Sequence, residues 1–329
     1  MEVVFINRNP KIGYSIHKVF LPIIDKMKSY IQVKSLDLTG STGGISDVLK
    51  NCKAVFNAIS TNKKDTVYHI TGDVHYCTLP LIGKKVIVTV HDLGRYFNLK
   101  GIHKCLYWIL RIFPLQFAQK VVCISNATVD EVNQAIHLPK DKITVIPDEV
   151  GDEFQYSEKA FNASRPTILH IGTRPHKNLT RTIKALKEIK CQLRIIGIVE
   201  DSDVKLMDEN NIDYAIVQNL SDEELIQEYR NADIINFPSY HEGFGMPIIE
   251  GQAIGRLVIT SDMEPMKSVA GYGAILCNPY DIDSIHEAYL KGINNCDYRE
   301  KVIKAGLENV KKYRLDQITK QYLNLYKSL

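Results

Sequence analysis

Residues 237–250 read Phe237-Pro-Ser-Tyr-His-Glu-Gly-Phe-Gly-Met-Pro-Ile-Ile-Glu250 and predict a strand, a loop and a helix in succession. The strand, Ile234–Phe237, is a short apolar run, and Pro247 suits the first position of the helix that follows the loop. Gly243 and Gly245 allow the backbone of the loop to approach a ligand closely. Because the free N–H groups at a helix N-terminus attract anions, the segment is a candidate phosphate site.

The same alternation of strands and helices extends along the chain. Strand candidates are Val3–Ile6, Val33–Leu36, Thr66–Ile70, Val86–Val90, Val121–Ile124, Ile143–Ile146, Thr167–Ile171, Leu193–Ile196, Ala215–Val217, Ile234–Phe237 and Leu257–Ile259. Most are continuous apolar runs, which is typical of parallel strands that are covered on both faces. Helical patterns such as Leu179–Ile189 and Asp222–Ala232 lie between them. The order therefore predicts an α/β protein with helices on both sides of parallel sheets.

A polar stretch with proline and glycine, Pro147–Glu158, separates two series of strands and is predicted to be a hinge. We expect residues 1–150 to form an N-terminal Rossmann-like domain and residues 151–311 a C-terminal one. Their parallel sheets are expected to face a central cleft, because ligands of such sheets bind beyond the carboxyl ends of the strands. Residues 312–329 are predicted to form a C-terminal helix, for which a return to the N-terminal domain is one option.

Composition excludes several classes of protein. Of the 329 residues, 45% are hydrophobic and 24% are charged, as in ordinary globular proteins, so disordered and collagen-like classes are excluded. No run approaches the ~18 apolar residues that a membrane-spanning helix needs. The first ten residues lack the basic start and long apolar run of a signal peptide, so a soluble, cytoplasmic protein is expected, with a peripheral position at the inner face of the membrane as the alternative. The seven cysteines form no CxxC pair, which argues against a disulfide framework or a structural zinc site.

The charge is distributed unevenly along the chain. Residues 1–150 carry 19 Lys and Arg against 12 Asp and Glu, while the remainder carries 22 against 26. A basic first half indicates a phosphate-bearing partner or an anionic membrane. Its excess of positive charge is too small to indicate a nucleic-acid partner. Residues Gly101–Lys120 combine aromatic side chains, including Trp108, with Lys104 and Arg111. Such a stripe is more often a core-facing helix, but a helix lying on a membrane interface is the alternative.

Glu242-Gly-Phe-Gly-Met-Pro-Ile-Ile-Glu250 resembles the E-x7-E signature of retaining glycosyltransferases of family GT4, which have the GT-B fold. Other segments agree with this family in order and spacing: Thr89–Leu93, Val122–Asn126, Ile143–Pro147, Ile171–Leu179, and Leu220–Leu225 followed by Tyr229 and Ala232-Asp233. The resemblance covers nearly the whole chain and is strongest from Thr167 to Asp262. It implies transfer of a sugar, with retention, from a nucleotide diphosphate donor to a glycan or lipid-linked acceptor. Bacterial polysaccharide and lipopolysaccharide assembly enzymes are the most similar type.

The resemblance also implies roles for individual residues. Glu242 would hydrogen-bond the donor sugar and Glu250 would accept the ribose hydroxyls, tasks that suit carboxylates because these groups accept two hydrogen bonds. Lys177, with Arg174 beside it, would neutralise the diphosphate, where negative charge grows in the transition state. His91 would reach the sugar from the other domain. The remaining predicted donor-binding residues lie in glycine-containing loops: Gly13, Gly243, Phe244 and Gly245.

Structural explanations exist for several of these residues. His91 follows a strand and fits a hydrogen-bonded structural histidine, whereas Lys177 and Arg174 fit solvated positions near a helix start. The D-x-D sequences Asp201-Ser-Asp203 and Asp281-Ile-Asp283 precede helical patterns and are predicted to cap them. We therefore expect no metal and no cofactor, since the sugar nucleotide is the substrate.

Two other classes of protein compete with the enzyme. One is a GT-B protein that has lost catalysis and binds a sugar nucleotide or a partner transferase. The other is a two-domain sugar-binding protein, which the absence of an export signal disfavours. The presence of both glutamates together with Lys177 and His91 favours the enzyme.

Overall fold

Two parallel six-stranded sheets organise the chain. The computed structural model describes residues 1–10, 14–40, 44–59 and 65–329. These form two units: unit 1 comprises Met1–Glu149 and Leu315–Leu329, and unit 2 comprises Val150–Arg314. All strand pairs within the described sheets are parallel, which confirms the predicted α/β class. Because parallel neighbours must be joined by crossover connections, helices alternate with the strands.

The strands are β1 Glu2–Asn7, β2 Gln32–Asp37, β3 Thr66–Ile70, β4 Lys85–Val90, β5 Lys120–Cys123, β6 Ile143–Val145, β7 Thr167–Ile171, β8 Gln192–Ile196, β9 Asp213–Val217, β10 Ile234–Phe237, β11 Leu257–Ser261 and β12 Ile275–Cys277. The α-helices are α1 Tyr14–Met27, α2 Ile45–Asn57, α3 Gly94–Asn98, α4 Gly101–Tyr107, α5 Asn126–Ala135, α6 Leu179–Ala185, α7 Asp201–Glu209, α8 Asp222–Asn231, α9 Met246–Ile254, α10 Met266–Ala270, α11 Ile282–Asn294, α12 Cys296–Asn309 and α13 Leu315–Lys327. The strand orders are β2-β1-β3-β4-β5-β6 in unit 1 and β12-β11-β10-β7-β8-β9 in unit 2. No helix of the described residues is both long enough and apolar enough to cross a membrane.

The sheet of unit 1 has a separate apolar core on each face. On one face, α1 and α13 pack around a cluster that includes Phe5, Phe20 and Ile318. On the other face, α2 and the 3₁₀ helix His75–Leu81 contribute to a larger cluster, together with residues of 108–115. The last helix of the chain therefore completes the unit that contains the first strand.

A buried polar network fastens α13 to the sheet. Nδ1 of His69 on β3 lies 2.6 Å from the hydroxyl of Tyr326, and its Nε2 lies 2.8 Å from the hydroxyl of Thr89 on β4. The side chain of His69 is fully buried, and this burial lowers its pKa to about 3. Because the unfolded chain takes up a proton near pH 6.5, protonation of this histidine destabilises the fold as pH falls below that value.

The sheet of unit 2 is likewise crossed by a buried polar network. Asn236 on β10 donates to Nδ1 of His170 at 2.9 Å and to the hydroxyl of Thr182 at 3.1 Å, and it accepts from the hydroxyl of Tyr289 at 2.7 Å. These contacts connect β7, β10, α6 and α11 within the apolar cluster of that face. Buried polar groups that are paired in this way specify one arrangement of the surrounding elements.

The structure differs from the predicted elements at three places. The strand β12, Ile275–Cys277, is not among the predicted strands. The helix predicted over Leu179–Ile189 ends at Ala185, and the chain turns through a positive φ of 69° at Glu188. The stripe Gly101–Lys120 divides into α4, a π-helical turn at Trp108–Ile112 and a 3₁₀ helix at Phe113–Phe117.

The divided stripe is core-facing over only part of its length. Ile112 and Leu115 are fully buried, whereas α4 has no buried residue and exposes Ile102 and Leu106 by 66% and 47%. The core-facing prediction therefore holds for the second half of the stripe. Pro114 lies in the first turn of the 3₁₀ helix. An α-helix that continued from α4 through this position would need the N–H that proline lacks.

We predict that Tyr326→Phe lowers the free energy of unfolding by about 1–3 kcal/mol, because it leaves Nδ1 of buried His69 without a partner. Equilibrium urea unfolding at pH 7 measures the change. Tyr30→Phe is the matched control, since Tyr30 is 56% exposed and should tolerate loss of its hydroxyl. Equal stability of the two variants would contradict the role of this network.

Candidate functional site

Three loops meet at the carboxyl edge of the unit 2 sheet, and Asn178 holds them together. Its backbone is left-handed, with a φ of 67°, and its side-chain amide donates to the carbonyls of Pro238 at 3.0 Å and Pro279 at 2.7 Å. The N–H of Tyr240 also donates to the carbonyl of His176 at 3.0 Å. The loops after β7, β10 and β12 are thereby fixed to one another.

Lys177 and Glu242 form an ion pair across two of these loops. Lys177 Nζ lies 2.6 Å from Glu242 Oε1, and the two side chains are 20% and 14% exposed. The ammonium group also lies 4.6 Å from the centre of the Phe237 ring, within reach of a cation–π interaction. Gly172 has a φ of 85°, and a Cβ there would lie 3.2 Å from the Lys177 stem. The glycine therefore provides both the turn and the space in which the lysine lies.

The loop before α9 has the local geometry that its sequence predicts. Gly245 is the N-cap residue of α9 with a φ of 113°, and a Cβ at this position would meet Ile248 at 3.0 Å. The helix begins at Met246, so Pro247 occupies its second position, one residue later than predicted. Gly243 is half-buried. Phe244 is buried edge-on against Tyr313, so its ring belongs to the packing of unit 2.

Glu250 is the fifth residue of α9 and is held by a buried tyrosine. The hydroxyl of Tyr229 on α8 donates a short hydrogen bond to Glu250 Oε2. Tyr229 is fully buried, and burial raises its pKa well above the usual value, so the hydroxyl keeps its proton. Since an ionised carboxylate can only accept, this contact fixes the orientation of Glu250.

Arg174 precedes the turn that carries Lys177, and His176 lies within it. The side chain of Arg174 is exposed, and its carbonyl accepts from the N–H of Lys177 at 2.8 Å. His176 is half-buried, and burial lowers its pKa below the usual value. Of the cationic groups predicted in this loop, the structure brings Lys177 against Glu242 and leaves the Arg174 side chain at the surface.

His91 lies in unit 1, directly after β4. Its Nε2 lies 2.9 Å from the carbonyl of Thr71 and therefore donates, while Nδ1 lies 3.9 Å from the carboxylate of Asp148. Asp148 is buried, and burial raises its pKa. One ring nitrogen is thus used within the unit, and the other faces a carboxylate beyond hydrogen-bond distance. The predicted Gly13 lies outside the described residues.

The two D-x-D sequences behave differently. The carboxylate of Asp281 caps α11 by accepting from the N–H of Asp283 at 3.0 Å, as predicted. Asp201 and Asp203 instead lie within the first turn of α7, whose N-cap is Glu200, so the predicted cap is wrong there. Helix dipoles favour acidic side chains at such positions. Among the residues that the structure describes, no three His, Cys, Asp or Glu side chains are grouped to hold a metal.

Sequence reasoning did not assign roles to Asn178, Tyr229 or Asp148. The residue type of Asn178 is a usable signal, because asparagine is enriched at left-handed backbone positions. Asn178 also directly follows Lys177 in the sequence. Tyr229 and Asp148 act through distant partners, for which no local pattern exists. Together, the edge of unit 2 offers a cation, a paired carboxylate, a fixed second carboxylate and a helix N-terminus, which suit a ligand that carries both phosphate and hydroxyl groups.

Two family profiles match nearly adjoining parts of the chain. Residues 36–150 match "Glycosyltransferase Family 4", and residues 152–309 match "Glycosyl transferases group 1". The second match contains Lys177, Glu242 and Glu250, and the first contains His91.

Individual proteins are similar over most of their length. O-antigen chain mannosyltransferase B of Escherichia coli is 25% identical over 300 residues, which cover 81% of this chain and 75% of that protein. Sucrose-phosphate synthase of Thermosynechococcus elongatus superposes with a TM-score of 0.78 at 16% identity, over 100% of this chain and 98% of that one. HepE of Anabaena, solved with UDP and glucose, superposes with a TM-score of 0.77 at 12% identity over the whole of both chains.

We predict that Asn178→Gly lowers the free energy of unfolding by about 2 kcal/mol, because it removes two hydrogen bonds to backbone carbonyls and keeps the positive φ. Asn178→Ala should cost about 1 kcal/mol more, since alanine resists the left-handed conformation. Urea unfolding of both variants measures the difference. Wild-type stability of Asn178→Gly would show that the bridging amide does not hold the loops.

Proposed function

Because the chain belongs to the group 1 glycosyltransferases of family 4 and has the GT-B fold, we propose that it is a retaining enzyme acting on a nucleoside diphosphate sugar. The acceptor is a glycan or a lipid-linked sugar of a cell-surface polysaccharide, in keeping with the O-antigen relative. A lipid-linked acceptor lies at a membrane, so peripheral contact with an anionic membrane is part of the proposal. The observation that carries it is the Lys177–Glu242 ion pair, which holds a cation suited to phosphate against a carboxylate suited to sugar hydroxyls at one sheet edge.

Lys177 is proposed to bind the diphosphate by exchanging partners. In the unliganded chain its charge is balanced by Glu242. A diphosphate carries more negative charge than one carboxylate and gains further charge as the glycosidic bond breaks, so it should displace Glu242 from the ammonium group. The released carboxylate then accepts hydrogen bonds from sugar hydroxyls, which are donors that a carboxylate can satisfy. Arg174, on the same turn, is proposed as a second contact to the phosphates.

Glu250 is proposed to bind the ribose of the donor. Its carboxylate is oriented by Tyr229, and it lies one turn inside α9, whose N-terminus is proposed to face the phosphates. Two neighbouring ribose hydroxyls match two carboxylate oxygens, one of which also accepts from Tyr229. His91 is proposed to act on the sugar during transfer.

The proposal is tested with a panel of nucleotide sugars that includes GDP-mannose and UDP-glucose. GDP-mannose is included because the O-antigen relative is a mannosyltransferase. UDP-glucose is included because HepE was solved with UDP and glucose. Thermal shifts identify the donor, since ligand at 100 times Kd adds about 2.7 kcal/mol of stability. NMR of the product then reports whether the anomeric configuration is retained. Binding without transfer or donor hydrolysis would favour the inactive sugar-nucleotide-binding alternative, and an inverted product would reject retention.

We predict that Glu250→Ala and Tyr229→Phe weaken nucleoside diphosphate binding. Loss of the tyrosine hydroxyl should lower affinity roughly five- to tenfold, and it should reduce the preference for the ribonucleotide over its 2′-deoxy form. Calorimetric titration of both nucleotides measures this. Glu209→Ala, an exposed change on α7, is the control. An unchanged ribose preference in both variants would exclude Glu250 as the ribose ligand.

We predict the opposite pattern for His91→Ala and Glu242→Ala. Nucleoside diphosphate affinity should be retained, and in Glu242→Ala it should equal or exceed that of the wild type because Lys177 loses its competing partner. Transfer should fall by about 3 kcal/mol in transition-state stabilisation, roughly 150-fold. Initial rates at saturating donor measure it. Full turnover in both variants would remove these residues from the sugar site.

We predict that transfer is insensitive to chelation, because Lys177 and the N-terminus of α9 are proposed to neutralise the diphosphate without a cation. Activity after dialysis against EDTA should stay within about twofold of the untreated enzyme. The control is the same protein with Mg²⁺ or Mn²⁺ restored. Loss of activity on chelation and its recovery with either ion would reject the proposed metal independence.

A further inference from the structure

One layer of unit 1 presents large apolar side chains to the outside. Nine such residues, here called the apolar face, are each at least 38% exposed: Ile45, Leu49 and Phe56 on α2, Leu79 and Ile82 around the 3₁₀ helix His75–Leu81, and Phe97, Ile102, Leu106 and Ile109 along residues 97–109. Their elements all cover the same side of the sheet, around the larger apolar core of the unit. Soluble proteins seldom expose so many large apolar groups on adjoining elements, so the face marks a binding surface.

The helix α2 shows that this exposure is organised. Ile45, Leu49 and Phe56 are 77%, 65% and 65% exposed and follow one another at spacings of four and seven, so they lie on one side of the helix. Asn51 and Val55 occupy the buried side. The helix therefore has two apolar surfaces, and the sheet covers only one of them.

Among its described side chains, the opposite layer of the unit lacks such a face. Among the side chains that the structure describes there, α1 exposes Leu21 by 42%, and α13 exposes no large apolar residue. The exposed apolar side chains of unit 1 are therefore concentrated on one layer and are not spread evenly over its surface. Leu21 also provides a control position of similar character.

The charged residues around the apolar face indicate which kind of partner it binds. Residues 44–59, 75–85 and 94–110, which carry the apolar face, contain seven Lys or Arg and one Asp. The ammonium group of Lys104 lies 4.6 Å over the Tyr96 ring, so a cation and an aromatic side chain occur together there. Protein interfaces are depleted in lysine, whereas anionic lipid headgroups attract it and bilayers accept the apolar groups beside it.

We propose that the apolar face docks on an anionic bilayer, with α2 and the 3₁₀ helix His75–Leu81 contributing as much as residues 97–109. This proposal rests on the proposed function, which includes contact with a membrane. It assigns that contact to named residues and extends it beyond the stripe Gly101–Lys120. It does not depend on the transfer chemistry, because no residue of the face belongs to the proposed sugar or nucleotide site.

The test is co-sedimentation of the full chain with phosphatidylglycerol-containing vesicles and with phosphatidylcholine vesicles. One variant pair carries Leu49→Ser and Phe56→Ser, another carries Lys50→Gln and Lys53→Gln, and Leu21→Ser is the matched control. We expect each pair to lower partitioning into anionic vesicles roughly tenfold or more, and Leu21→Ser to leave it unchanged. Transfer to a water-soluble acceptor and thermal stability should match the wild type in all variants, because every altered side chain is exposed.

The outcomes separate this proposal from the proposed function. Salt-sensitive binding to anionic vesicles that both α2 pairs lose supports it, whether or not sugar transfer is detected. No vesicle binding, equal binding to both lipids, or an equal loss in Leu21→Ser would overturn it. A concentration-dependent dimer that Leu49→Ser and Phe56→Ser abolish, without vesicle binding, would assign the face to a second copy of the chain.

Discussion

Parallel pairing of the strands is the constraint on which the site depends. When all strands of a sheet run the same way, the loop after each strand leaves at the same edge, however far apart the strands are in the chain. In unit 2, β10 pairs with β7 although more than sixty residues separate them. This pairing brings Glu242 to Lys177 and allows Asn178 to join the two loops to the loop that follows β12.

The pair of Lys177 and Glu242 has an energetic consequence for a site of this kind. Both charges are largely withdrawn from water, so either one alone would be costly, and together they balance. A ligand that binds the lysine therefore has to replace an existing partner, and its measured affinity is the difference between two interactions. Hydroxyl groups on the same ligand would offset part of that cost by donating hydrogen bonds to the carboxylate. Such a site favours ligands that carry an anionic group and hydroxyl groups at a fixed separation.

Much of the fold could be predicted from local pattern, because buried parallel strands are continuous apolar runs. The stripe Gly101–Lys120 shows a physical limit of such patterns, because it has helical periodicity but is interrupted at Pro114. Site residues in recognisable motifs, such as Lys177 and Glu242, were identified as candidates. The supports of these residues were not, because Asn178 bonds to carbonyls 60 and 101 positions away. Exposure on α2 was also missed, since sequence alone does not tell which apolar side of a helix the sheet covers.

The helix α13 belongs to unit 1 but follows unit 2 in the chain, and this affects the order in which the units fold during synthesis. A ribosome releases residues 1–149, then the whole of unit 2, and only afterwards Leu315–Leu329. At about 5–20 residues per second, roughly 10–30 s pass in which His69 lacks Tyr326 and one face of the first sheet lacks one of its two helices. The unit that is synthesised second can therefore finish folding first. During that interval the nascent N-terminal part presents apolar surface, such as Phe5 and Phe20, of the kind that chaperones bind.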